Sequence, residues 1–267
     1  MGQSKKTVGD VKAMLVEAAD EGVLSAKSLA VIDINDTVLA GVCGMDVEDI
    51  TATDITLLTL IYDDSGSIRF TGLTDAVREG QNLMLDAIAG SKQKNNILIA
   101  QWKLGSQSEL IHSYLPVDQA VRLNKSNYNP QSGTALYDVW VEVAAANVAY
   151  AQQLRASGTP VKSIVSLVTD GFDQGSRKYR QADCKRLNKD LLASEQFIVA
   201  FVGVAEPGNE QSFKDVAREM GFPDGSILTP NDDPSEVRKA LGLVSQSAIR
   251  ASQKVISVAA QNSFFSP

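Results

Sequence analysis

The run Ile55-Thr56-Leu57-Leu58-Thr59-Leu60-Ile61-Tyr62 is almost continuously apolar or β-branched and stops at Asp63-Asp64-Ser65-Gly66-Ser67. A one-sided strand would alternate apolar with polar residues, so this composition and length suit a strand buried on both faces. Such a strand needs helices above and below it. The rest of the sequence supplies them: an apolar helical stripe over 72–89 (Leu73, Ala76, Val77, Leu83, Met84, Ala87, Ile88), and a long helical segment opening at Thr134 and running to about Ala156, ended by Gly158 and Pro160. Further helices are expected at 181–194, 209–220 and 235–257, the last opened by the Asp-Asp-Pro punctuation. Strands are expected at 96–103, 110–114, 164–169, 197–204 and 226–228. Alternation of this kind predicts a doubly wound, mostly parallel α/β sheet flanked by helices, whose ligands sit beyond the carboxyl ends of the strands.

Ahead of that pattern, Val8, Val11, Met14, Leu15 and Ala18 recur at helical spacing until Gly22, whereas apolar residues over 25–53 are too irregular to assign to helix or strand. Residues 1–53 are therefore expected to be a largely helical N-terminal extension packed on a main domain of residues 54–260, with 261–267 as a C-terminal tail. Apolar positions Val237, Leu241, Val244, Ala248, Ala251 and Val255 of the closing helix read as core packing. Phe264 and Phe265 near the terminus read as folded back or free, the alternative being a docking tail.

The balance of 25 Lys+Arg against 32 Asp+Glu gives a net charge of −7, which argues against a surface built for nucleic acid or anionic lipid. With 44% apolar and 21% charged residues the chain has the composition of a globular protein. Cys43 and Cys184 stand alone and far apart, so neither a zinc site nor a disulfide framework is indicated, and a reducing cytoplasm is the expected setting. The start Met1-Gly2-Gln3-Ser4-Lys5-Lys6-Thr7 has no apolar segment after it, and no run reaches membrane-spanning length. Its hydroxyl comes one residue late for a myristoylation signal, so lipidation is not expected.

Asp63, Ser65 and Ser67 follow the first buried strand directly. A carboxylate and two hydroxyls are hard oxygen donors that suit Mg²⁺ or Mn²⁺ and suit Zn²⁺ or Cu²⁺ poorly. Taken alone, the loop reads equally well as a polar turn capping the next helix. Related donors recur in Ser132-Gly133-Thr134-Ala135-Leu136, at a helix start, and in Val168-Thr169-Asp170-Gly171, at a strand end.

With these three segments the chain resembles the von Willebrand factor type A family, whose metal-ion-dependent adhesion site combines Asp-x-Ser-x-Ser with a distant Thr and a more distant Asp. The resemblance spans about residues 54–245. It implies that Ser65 and Ser67 ligate the metal directly, that Thr134 does so directly or through water, and that Asp63 and Asp170 act mostly through bound waters. With few anionic donors touching it, Mg²⁺ (or Mn²⁺) would keep charge and an open position for an Asp or Glu of a partner protein. The intracellular members it resembles, common in bacteria, work beside AAA+ ATPases of the MoxR type or in stress and tellurite-resistance gene clusters.

Other candidates carry less. Asp64 reads as a solvent-facing or helix-capping carboxylate, and no second ion is expected because Ile68-Arg69-Phe70 supplies no acidic pair. Asp173 reads as loop, and the sole histidine, His112, as structural. No Gly-x-Ser-x-Gly elbow, Walker A loop or Rossmann glycine fingerprint occurs. The expectation is a non-enzymatic, Mg²⁺-dependent protein-binding module. The alternatives are a Mg²⁺-dependent phosphoryl-transfer or hydrolytic enzyme using Asp63 as nucleophile, whose usual second Asp is Ser65 here, and a structural subunit of an assembly. Self-association through Asp46 or Glu48 of the extension is a further possibility.

Overall fold

The computed structural model describes residues 6–266, so Gly2 and the lipidation reading attached to it lie outside the described residues. Strands β1 (Ile55–Asp63), β2 (Ile97–Leu104), β3 (Ser108–Pro116), β4 (Val161–Thr169), β5 (Phe197–Gly203) and β6 (Ile227–Leu228) form one sheet in the order β3-β2-β1-β4-β5-β6. All neighbours are parallel except β2 and β3, which pair antiparallel. Beginning at β1, the chain builds outward through β2 and β3, then returns to the other side of β1 with β4. The strand order thus reverses between β1 and β4, which is where an open α/β sheet leaves a crevice at its carboxyl edge.

Both faces of the sheet are covered, as the β1 composition requires. Leu57 and Ile61 of β1, Val165 and Leu167 of β4, and Val199 and Phe201 of β5 enter one buried cluster. Leu58, Leu60 and Tyr62, Ile164 and Val168, and Ile198, Ala200 and Val202 enter the other. The second face is covered by α5 (Thr74–Ala89) and α9 (Pro234–Ser252), which pack on each other. The first is covered by α6 (Leu136–Ala156), α7 (Gln181–Ala193) and α8 (Glu210–Glu219).

Helix α6 has 16 buried residues among its 21, far more than a surface helix with one apolar stripe would bury. The N-terminal segment explains this. Helices α1 (Val8–Asp20), α2 (Ala26–Val31) and α3 (Asp36–Gly41) lie over α6, α7 and β3, so α6 is enclosed between them and the sheet. Thr7 and Asp10 form a capping box that starts α1, and Ser25 and Asn35 cap α2 and α3 through their side-chain oxygens. These capped six-residue helices are too short to show an apolar period, which is why residues 25–53 resist assignment from spacing.

Two expected helix boundaries shift. The segment opening at Thr134 becomes helical only from Leu136, and Thr134 lies in the turn before it. The closing helix ends at Ser252, not at 257, so Val255 is 86% exposed rather than core. A short α10 (Val258–Gln261) follows, and Gln261 Nε2 donates to the carbonyls of Leu192 (2.8 Å) and Phe197 (2.9 Å). Phe264 is buried, and its carbonyl accepts from Arg250 Nη2 at 2.8 Å. Helix α4 (Gly66–Phe70), one turn long, follows the Asp63–Ser67 segment.

Leu15 of α1 is fully buried in the cluster that also contains Trp140 and Phe201. Leu15→Ala should lower unfolding free energy by about 2–4 kcal/mol, in a single urea transition. A separate early transition for the N-terminal helices would contradict the shared core.

Candidate functional site

Strands β1 and β4 deliver two carboxylates to the reversal point: Asp63 is the last residue of β1, and Asp170 follows Thr169, the last of β4. The connection ahead of α6 is pinned beside them by backbone hydrogen bonds. Gln131 N and Ser132 N both donate to Asp64 O at 2.9 Å, Gly66 N donates to Ser132 O at 3.0 Å, and Ala135 N donates to Gly105 O at 2.8 Å. Thr134 is thereby carried to the same edge, and its own carbonyl accepts from Gln174 N and Gly175 N of the loop after β4.

The five oxygen-bearing side chains expected from the sequence converge. Ser67 Oγ donates to Asp170 Oδ1 at 2.6 Å, and Ser65 Oγ lies 2.8 Å from Ser67 Oγ and 3.5 Å from Asp170 Oδ1. Asp63 Oδ1 accepts from Ser65 N at 2.8 Å, and its Oδ2 accepts from the Thr169 hydroxyl. A methyl group on Gly171 would sit 3.4 Å from Thr134 Oγ1 and 3.9 Å from Asp63 Oδ2, so those two groups border one small volume. Asp63 is only 1% exposed, and Ser65 and Thr134 are buried.

Burial pushes the Asp63 carboxyl above the usual carboxylate range, against the hydrogen bonds from Ser65 and Thr169 that favour its charge. Asp170 is pushed up to about 7, by burial first and by the Asp63 charge second. Among the described residues no ion pair joins Asp63, Asp64 or Asp170 to a Lys or Arg. A buried and a half-buried carboxylate that repel each other beside three hydroxyls, with no cationic side chain among them, form a donor set that fits a hard divalent cation. Among the described residues no group of three or more His, Cys, Asp or Glu comes together, so a soft-metal site has no comparable candidate.

Other candidates fall into supporting places. Asp64 is neither solvent-facing nor a cap: it is half-buried, its Oδ1 has no hydrogen-bond partner, and burial raises it to about 6 while Lys103 lowers it. Ser65, not Asp64, occupies the N-cap position of α4. Asp173 accepts from the Ser176 hydroxyl and braces the start of α6 through Tyr137 N at 3.5 Å. His112 is buried, with Nδ1 2.7 Å from Ser113 O and Nε2 2.7 Å from Gln101 Nε2. The Ser113 carbonyl can only accept, so Nδ1 carries the proton and Nε2 accepts, and burial lowers the ring's proton affinity.

Two supporting residues have no sequence signal of their own. Thr169 holds Asp63 Oδ2, and the Tyr128 hydroxyl donates to the Asp63 carbonyl. The position of Thr169 beside Asp170 is suggestive only once the strand's end is known. Tyr128 lies in an irregular loop, and nothing in its surroundings points to Asp63.

No protein-family model matches the sequence, and no curated protein matches it. Solved structures are similar in fold. A form of the pilus adhesin SpaC from Lactobacillus rhamnosus GG aligns with 74% of this chain and 31% of its own, at 14% identity and a TM-score of 0.56. A von Willebrand factor type A protein from Catenulispora acidiphila aligns over 73% of this chain and 43% of its own, at 14% identity and TM-score 0.50. The PilB minor pilin from Streptococcus sanguinis aligns over 75% and 63%, at 13% identity and TM-score 0.50. This chain therefore covers less than two thirds of each of those chains. It has the von Willebrand factor type A fold.

The raised carboxyls give the site a pH signature. A carboxyl whose folded value lies above its unfolded one contributes stability at low pH that is lost as pH rises through the folded value. In EDTA, the native protein should lose stability between about pH 4 and pH 7, whereas Asp170→Asn, which mimics the protonated form, should lose less. The difference in melting temperature between variant and native protein should grow from pH 5 to pH 8. A constant difference would show that Asp170 is not held against its charge.

Proposed function

We propose that this protein is a non-enzymatic, Mg²⁺-dependent protein-binding module that takes an Asp or Glu of its partner at the carboxyl edge of β1 and β4. The observation that carries the reading is the convergence of Asp63, Ser65, Ser67, Thr134 and Asp170 with no cationic side chain among them. Ser65 and Ser67 would hold Mg²⁺ (or Mn²⁺) directly, Thr134 directly or through water, and Asp63 and Asp170 largely through water. When bound, the ion supplies a positive centre able to accept a carboxylate from outside. The chain's own residues do the positioning. The Ser65 amide and the Thr169 hydroxyl fix both oxygens of Asp63, and the Ser67 hydroxyl orients Asp170.

The same contacts speak against Asp63 as a nucleophile. It is 1% exposed, and each of its oxygens is held by a hydrogen bond, so a substrate has little access to it. One structural neighbour is an adhesin by name, and binding is the part of that description carried to this chain. The proposed setting is the cytoplasm, consistent with Cys43 and Cys184 as free thiols. A MoxR-type AAA+ ATPase is the partner class to test first.

With a dissociation constant of about 1 mM, about 10 mM Mg²⁺ should stabilise the fold by RT ln 11, roughly 1.4 kcal/mol. Asp63→Ala and Thr134→Ala should remove the shift in melting temperature while remaining folded. Partner capture from lysate, read by mass spectrometry, should be lost in EDTA and in both variants. An unchanged Mg²⁺ response in the variants rejects the ligand assignment. Capture of the same proteins with and without Mg²⁺ rejects the role of the metal in recognition.

A further inference from the structure

Gln81 of α5, Gln101 of β2 and His112 of β3 form one buried chain of hydrogen bonds on the second face of the sheet. Register shifts flank the Gln101–His112 pair. His112 thereby joins Gln101 and α5, whereas the next two residues, Ser113 and Tyr114, bond to Gly41 of α3 and Thr59 of β1. The chain has a fixed direction because both of its ends are backbone groups. At one end Leu123 N, which can only donate, gives to Gln81 Oε1 at 3.1 Å. Gln81 Nε2 then donates to Gln101 Oε1 at 2.7 Å, and Gln101 Nε2 donates to His112 Nε2 at 2.7 Å. At the other end His112 Nδ1 donates to Ser113 O at 2.7 Å. The second hydrogens of both amides go to the Val121 carbonyl, 3.1 Å from Gln81 Nε2 and 2.7 Å from Gln101 Nε2. A proton added at His112 Nε2 would set two donors against each other, and no amide flip relieves the conflict. Turning Gln101 over sets its Oε1 against the Val121 carbonyl and its Nε2 against Gln81 Nε2. Turning Gln81 over as well sets its Nε2 against Leu123 N. Whichever way the amides lie, the conflict reaches residues 121–123.

We propose that His112 is an acid-sensitive latch: its neutral ring holds residues 121–123 against α5 and β2, and protonation of the ring releases them. What hangs on the latch is the connection after β3. Asn82 Nδ2 also holds Leu123 O, at 3.1 Å. Further along, the Tyr128 hydroxyl supports the Asp63 carbonyl, and Gln131 N and Ser132 N reach Asp64 O before the chain arrives at Thr134. Acid thus loosens, at its root, the segment that delivers Thr134 to the carboxyl edge. The charged groups around the ring are engaged elsewhere. On α5, Arg78 pairs with Asp75, Glu79 with Arg238 and Asp86 with Arg122, and Lys103 of β2 pairs with Glu109 of β3. Asp118 is exposed. Burial lowers the proton affinity of the ring and the bond to Ser113 O raises it, with burial the larger effect. A ring whose latched value lies below its free value of about 6.5 favours the latch above that pH, and the latch is lost as pH falls.

His112 is the only histidine of the chain, so nitrogen NMR of the full chain labelled at histidine reads this ring alone. At about pH 8 the ring should be neutral with its proton on Nδ1. Below about pH 6.5 the exchange protection of the Leu123 amide should fall by up to about tenfold per pH unit, while the amides of β1 keep theirs. His112→Gln, which keeps a neutral donor and acceptor, should remove that pH dependence. Gln81→Met, which unties Leu123 from the chain, should by reciprocity move the His112 midpoint up toward about 6.5. A neutral ring that carries its proton on Nε2 overturns the direction of the chain and the latch with it. Titration of the ring with Leu123 protection unchanged, or the same loss of protection in His112→Gln, also overturns the latch. Loss of protection at Leu123 and in β1 together overturns it as well, because the ring is then only one more part of the core. Should His112→Gln not fold, the Gln81→Met midpoint decides, and an unmoved midpoint rejects the proposal.

Discussion

Repulsion between a buried carboxylate and a half-buried one beside it sets the terms for the carboxyl edge of this sheet. Asp63 and Asp170 are brought together by the pairing of β1 with β4, and the hydrogen bonds around them orient their oxygens without neutralising them. Left to itself, a protein interior avoids such a pair, because each charge loses water and gains a like-charged neighbour. The cost is tolerated only where the surrounding fold over-determines the positions. Here that role falls to the core on either side of the sheet and to the backbone bonds that lock the Thr134 segment onto Asp64 and Gly105. A site held this firmly against its own electrostatics is the kind that a bound cation would relieve.

Much of this was legible from residue order. The β1 run announced a strand covered on both sides, and the donors of the site stood at strand or helix ends, where an α/β sheet exposes them. What spacing could not reveal was contact between distant segments. Nothing near Tyr128 marks it as the support of the Asp63 carbonyl. The half-buried Asp64, whose Oδ1 has no hydrogen-bond partner, looks in sequence like any acidic residue of a polar turn. The end of α9 at Ser252 was hidden because Val255 continues the helical spacing for another turn although the backbone does not.

The N-terminal helices show how an element without a clear pattern becomes integral. Val11, Leu15, Val38 and Val42 are as buried as the sheet residues they join, and their presence permits α6 to be apolar on nearly every side. Asn35 of this segment donates to Glu142 of α6 at 2.6 Å, a part-buried polar contact that Ser108 of β3 and Lys178 share. The extension is thus part of the domain's interior rather than an appendage on its surface.

The loop that follows Asp170 is tied at several points. Asp138 accepts the backbone N–H groups of Arg177, Lys178 and Tyr179, the Tyr179 hydroxyl accepts from Asp33 N at 2.8 Å, and Lys178 reaches both Asp33 and Glu142. On the proposed binding role, a visiting protein would meet a rim already held in place by these bonds. Little disorder has to be frozen on encounter, so the lifetime of a complex would be governed by how readily individual side chains let go, and selectivity would show in dissociation more than in arrival.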